Sequence, residues 1–130
     1  EELHLTGLDL EFSAKTLAFL LPDDRILLAA IPGTARLRYP LLARAVGVSR
    51  SALRPAPADR LAALGMAPGG VTIFSPDHHS VVAVHAGLLE FPRIYCGSGS
   101  AELSVELSPE ALLGVVVEPV IADLCSPSLA

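Results

Sequence analysis

Two apolar runs joined by a tight polar turn narrow the folds open to this chain more than any other feature. Ala14 to Leu21 is followed by Pro22-Asp23-Asp24 and then by Ile26 to Ile31. Runs this short, bounded by turn residues, fit buried strands joined as a hairpin, and Pro32-Gly33 closes the second. Downstream, Tyr39 to Val46 has the spacing of one helix, with Gly47 as its stop. Ser49 to Pro57 reads as a polar connection and Ala58 to Leu64 as a second short helix ended by Gly65.

The remaining elements are short. Strands are expected at Val71 to Phe74, Ser80 to His85, Ile94 to Cys96 and Glu102 to Leu107, where Leu103, Val105 and Leu107 alternate with Glu102, Ser104 and Glu106. Ser108-Pro109-Glu110 predicts a capped helix over 109–113, and Val115 to Ile121 predicts a last strand. Short strands and short helices in no strict alternation imply an α/β (α+β mixed) domain, its sheet mixed or partly closed into a barrel and its helices packed outside. The 130 residues are expected to form a single domain.

Composition excludes several classes. Over half the residues are hydrophobic and the mean hydropathy is +0.55. The apolar runs nonetheless fall far short of the roughly 20 residues of a spanning helix, so no membrane association is expected. Two cysteines make no disulfide framework, which points to a reduced, cytoplasmic setting. The formal charge of −5 argues against broad phosphate neutralisation but leaves room for a nucleic-acid end.

Chemistry-bearing patterns are few. His78 and His79 are adjacent, and the histidines and cysteines show no metal-ligand spacing, so no metal and no cofactor are expected. No nucleophile elbow or phosphate-binding glycine motif occurs. Cys96 ends an apolar strand and reads as a buried small residue, with a Cys96–His85 pair as a weaker reading. What stands out is Lys15, the only lysine, within the first strand, together with the glycine-rich loops 65–70 and 97–100. On spacing alone Lys15 fits either a cleft-facing cation or the solvent-facing start of a strand. The loops fit either tight turns or exposed backbone N–H groups that hold a carbonyl oxygen, ribose or phosphate.

Taken in order, these motifs resemble the YbaK/prolyl-tRNA synthetase editing-domain family. They are Ala14-Lys15-Thr16-Leu17, Leu42 to Val48, Leu64 to Val71, Val81 to Leu89 and Ile94 to Leu113. The resemblance implies a barrel-like mixed sheet flanked by short helices, and hydrolysis of the ester joining a wrong amino acid to tRNA, such as alanine or cysteine on proline tRNA. It maps the functional strand lysine to Lys15 and the pocket loop to Gly65, Pro68, Gly69 and Gly70. The loop near the terminal adenosine maps to Gly97, Ser98 and Gly99. His85 stands where relatives often carry an acid and joins the substrate-binding set, since a neutral histidine can act similarly. The expected partners are the tRNA acceptor end and prolyl-tRNA synthetase. Compared with relatives the chain is short at its N-terminus. An alternative is a non-catalytic module of the same fold that binds a tRNA end or a synthetase; a third is an ester or thioester hydrolase using Cys96.

Overall fold

The computed structural model describes residues 12–66, 71–75, 79–97, 104–116 and 118–126. Strands β1 (Ala14–Leu20) and β2 (Ile26–Pro32) form the expected antiparallel hairpin, with Lys15 opposite Ile31 and Leu20 opposite Ile26. The turn sits where Pro22-Asp23-Asp24 places it. The Leu21 N–H donates to the Arg25 carbonyl (2.9 Å), the Asp24 N–H donates back to Leu21 (2.9 Å), and Asp24 takes φ 75°. A three-residue hairpin loop needs one such left-handed residue, and aspartate tolerates it.

Next come β3 (Arg36–Leu37), helix α1 (Tyr39–Val46), a 3-10 turn (Arg50–Ala52), β4 (Arg54–Pro55) and helix α2 (Ala58–Ala63). Helix α1 has its predicted bounds. Pro40 lies in its first turn, and Gly47 ends it at φ 77°. β5 (Val81–His85), a 3-10 segment (Ala86–Glu90), β6 (Ile94–Gly97), β7 (Ser104–Leu107), helix α3 (Pro109–Val115), β8 (Val120–Ala122) and β9 (Cys125–Ser126) follow among the described residues.

Among the described residues, five strands make one mixed sheet in the order β4-β1-β2-β5-β8, with β2, β5 and β8 mutually parallel. Two further ladders, β3–β9 and β6–β7, flank it. β2 is central: Ile26, Leu27, Leu28, Ala29, Ala30 and Ile31 are all buried. Its alternate side chains feed two cores, one on each face of the sheet. Leu27, Ala29 and Ile31 join Phe19, Leu42, Ala83 and Leu124 on one face. Ile26, Leu28 and Ala30 join Val82, Val84, Leu88, Ile94 and Leu112 on the other. At about 1.5–3 kcal/mol for each large side chain taken from water, this double burial is what makes the hairpin the centre of the fold.

The structure departs from expectation at several points. Ser49 to Pro57, read as a connection, holds the 3-10 turn and β4. Val71 to Phe74 does not form a strand. The Phe74 N–H bonds the Thr72 hydroxyl (3.3 Å) and the Ser75 N–H bonds the Ile73 carbonyl (3.0 Å), curling the segment while Thr72 and Ile73 stay buried. The run from Val115 to Ile121 is not one strand either. Helix α3 extends through Val115, and among the described residues after it Val120–Ala122 is the part that joins the sheet.

Candidate functional site

Alternation along β1 places Lys15 on the same sheet face as Leu17 and Phe19, above the first core cluster. Its side chain is exposed, at the end of the strand away from the hairpin turn. There it lines a cavity of about 420 Å³ with Leu17, Thr34, Ala35, Arg36, Leu37 and Tyr39. The backbone fixes this geometry. The Gly33 N–H donates to the Ser13 carbonyl (2.8 Å) and the Ala35 N–H to Pro32 (3.0 Å), folding residues 33–37 back beside the start of β1. Leu37 pairs with Cys125, so β9 backs the cavity.

The described part of the wall carries two cations (Lys15, Arg36), a hydroxyl (Thr34), an aromatic ring (Tyr39) and apolar side chains. A lining of this kind suits an anionic or carbonyl-bearing ligand with an apolar portion. Burial, with a further push from the Asp123 charge, holds the Cys125 thiol above its ordinary pKa, and the field of the Lys15 ammonium draws it down against them.

The other expected residues lie as follows. Gly97 ends β6 opposite Ser104, and an isolated bridge between Ser13 and Tyr95 brings β6 alongside the start of β1. Gly65 does not line the Lys15 cavity. It takes φ 79° two residues past the end of α2, where its N–H bonds the Ala62 carbonyl (2.9 Å) while the Met66 N–H bonds Leu61 (3.0 Å). This is the left-handed helix stop that favours glycine. Pro68, Gly69, Gly70, Ser98 and Gly99 lie outside the described residues.

His85 shares the sheet face of Lys15 but does not line its cavity. Lys15 pairs with Ile31, and one step beyond the Ala30–Val84 pair His85 stands beside Ile31. The two side chains therefore flank Ile31 two strands apart, roughly 10 Å at the usual strand spacing. The His85 Nδ1 accepts the Leu124 N–H (3.1 Å) and lies 3.6 Å from the Asp123 carboxylate. One nitrogen cannot both accept the first contact and donate to the second. Burial holds the His85 pKa below its ordinary value, with Asp123 pulling weakly upward, so the neutral ring with Nδ1 as acceptor is the form present.

A Cys96–His85 pair does not form. Cys96 belongs to the core cluster on the opposite sheet face, and burial pushes its thiol up to about 11. It is a packed side chain, not a nucleophile. Sequence reasoning missed Thr34, Arg36 and Tyr39, which the β2–β3 connection brings to Lys15. No spacing rule marks them, because their meeting is tertiary.

Among solved structures the chain is similar to a candidate trans-editing enzyme for prolyl-tRNA synthetase. The identity is 24%, over 91% of this chain and 73% of that one, with a TM-score of 0.78. A scaffold protein from epitope-grafting design matches at 25% identity, over 91% and 74% of the two chains, with a TM-score of 0.78. A protein described only as hypothetical matches at 27%, over 89% and 75%, with a TM-score of 0.75. No curated protein sequence matches. These likenesses agree on the mixed sheet with its flanking short helices. With Lys15 and its cavity placed on that fold, and with residues 1–115 matching the aminoacyl-tRNA editing domain, the chain belongs to the aminoacyl-tRNA editing-domain family.

Proposed function

We propose that the protein is a trans-editing aminoacyl-tRNA deacylase that removes alanine or cysteine from proline tRNA in the cytoplasm, alongside prolyl-tRNA synthetase. The observation that carries this reading is the exposed Lys15 ammonium at a cavity whose wall also supplies Arg36, Thr34 and Tyr39, in a chain of the editing-domain family. An aminoacyl ester is already activated, so a water molecule can attack its carbonyl carbon without a protein nucleophile. The bond to the ribose oxygen then breaks, giving the free amino acid and a tRNA with its terminal hydroxyl restored. The protein's task is to hold the ester and stabilise the charge that grows on the carbonyl oxygen.

Lys15 is the electrostatic anchor in this scheme. Backbone N–H groups of the loops that run on from Gly65 through Pro68, Gly69 and Gly70, and from Gly97 through Ser98 and Gly99, complete the substrate contacts, and neither a metal nor a cofactor is needed. His85 keeps the sheet beneath the site in place through Leu124. Deacylation is measured on proline tRNA charged with Ala, Cys or Ser. Wild type should release amino acid, and Lys15→Ala should lower kcat/KM by about 100-fold, as loss of one charge-stabilising donor does elsewhere. No release from any misacylated tRNA defeats the enzyme reading, and equal rates remove Lys15 from the mechanism.

One observation favours a second reading, a non-catalytic module that holds a tRNA end. Among the described residues the cavity wall carries cations and hydroxyls but no carboxylate or imidazole. Tight binding of charged tRNA without turnover is the outcome that selects it.

A further inference from the structure

The chain's net charge hides a strong asymmetry. Between Arg25 and Asp59 lie five of the eight arginines, Arg36, Arg38, Arg44, Arg50 and Arg54, and no aspartate or glutamate. This stretch therefore carries +5 in a chain of −5. All five side chains are exposed, on β3, α1, the 3-10 turn and β4 and the residue that precedes α1. The arginines just outside the stretch are neutralised: Arg25 pairs with Asp23 (2.6 Å) and Arg60 with Asp24 (2.9 Å). Among the described residues no ion pair engages Arg36, Arg44, Arg50 or Arg54.

Part of this surface is continuous with the Lys15 cavity. Arg36 and Tyr39 line it, and the Tyr39 ring, 40% exposed, is braced edge-on by Phe19 at 5.7 Å. The Arg50 guanidinium lies 5.6 Å from the centre of that ring. Lys15, Arg36, Tyr39 and Arg50 thus form a path from the cavity to the outer surface. Cations spaced around an exposed aromatic ring suit a single-stranded nucleic acid, whose phosphates meet the charges and whose bases stack on rings. A membrane surface fits less well, because Tyr39 is the one large apolar side chain that α1 leaves exposed, and its ring is held against Phe19.

We propose that Arg36, Tyr39 and Arg50 form the track for the sugar–phosphate backbone of an RNA strand whose 3′ end enters the Lys15 cavity, with Arg44 and Arg54 adding to the attracting field. This rests on the deacylase reading for the identity of the RNA, but its test does not need hydrolysis. The probe is an uncharged RNA hairpin with a single-stranded 3′ tail, titrated at several salt concentrations. The double variant Arg36→Gln/Arg50→Gln should bind several-fold more weakly, and its slope of log K against log salt should shrink by about 1.5, as loss of two single-strand phosphate contacts requires. The control Arg25→Gln/Arg60→Gln changes net charge equally and should keep the wild-type slope.

Equal slopes for the two double variants, or no change in either, overturn the track. So does retention of wild type on phosphatidylserine vesicles with no binding to the hairpin. Deacylation by wild type with patch-independent RNA binding removes the track and leaves the enzyme reading in place. Patch-dependent binding without turnover of any aminoacyl-tRNA does the reverse. Circular dichroism of each variant establishes that the fold is kept.

Discussion

At the scale of single residues, His85 stands beside the Lys15 cavity without lining it. Its ring is 16% exposed, and the Leu124 N–H occupies Nδ1. Gly87 leaves room for the other edge of the ring, since a methyl group there would lie 2.9 Å from Nε2. Burial disfavours the imidazolium, so the folded pKa lies below the ordinary 6.5. The unfolded chain therefore binds a proton at this site more readily than the folded one does. Stability is unaffected by His85 above pH 6.5, falls as pH drops through the interval between the unfolded and folded values, and levels off below the folded value. Melting temperatures from pH 7.5 to 5 should fall for wild type and fall less for His85→Asn, whose side-chain oxygen can accept the same Leu124 bond. Identical pH dependence in the two proteins would show that His85 is not the titrating group.

At the scale of elements, the start of β1 is held by a close backbone approach. Gly33 donates to the Ser13 carbonyl at 2.8 Å, and a Cβ at position 33 would overlap the Ser13 side chain. Gly33→Ala should therefore cost about 1–3 kcal/mol, as overpacking does. It should also shift the segment that carries Thr34, Arg36 and Tyr39 toward Lys15. Thermal denaturation checks the first effect and the KM for charged tRNA the second; a fully stable, fully active variant contradicts both. The elements legible in the sequence carry their own local signals. These are the Pro22-Asp23-Asp24 turn, the Gly47 stop of α1, and Ser108, whose Oγ accepts the Ala111 N–H at 3.1 Å. What the sequence concealed depends on distant partners. Arg54 and Pro55 become a strand only because Leu20 and Phe19 lie opposite them, and Cys125 and Ser126 only because Leu37 and Arg36 do. The run from Val115 to Ile121 divides because α3 packs Leu112 and Val116 into one core before Val120 reaches the other. The candidate site follows the same rule. Lys15 was visible as the only lysine, whereas its cavity partners were polar residues after a proline with no periodicity of their own.

At the scale of the molecule, β2 couples the two faces. Leu27 and Leu28 are adjacent yet serve different cores, and neither is accessible to water. Truncating either to alanine should cost about 2–5 kcal/mol, a large share of the stability usual for a domain of this size. Because both clusters are built on the same strand, loss of one removes a wall of the other, and the two faces should unfold together. The chain supplies its own reporters, having no tryptophan and only two tyrosines. Tyr39 rests against Phe19 of the first cluster, while Tyr95 lies between Ile94 and Cys96 of the second on β6 and accepts a 2.7 Å bond from the Arg93 Nε. In Tyr95→Phe the remaining fluorescence follows Tyr39 and the first face; in Tyr39→Phe it follows Tyr95 and strand β6, whose Ile94 and Cys96 belong to the second cluster. Within each variant, the fluorescence midpoint should coincide with the far-ultraviolet dichroism midpoint, as all-or-none unfolding requires. If Tyr39 loses its environment at a temperature where the dichroism is intact, the face that carries the Lys15 cavity opens on its own. The shared strand would then not bind the site to the rest of the fold.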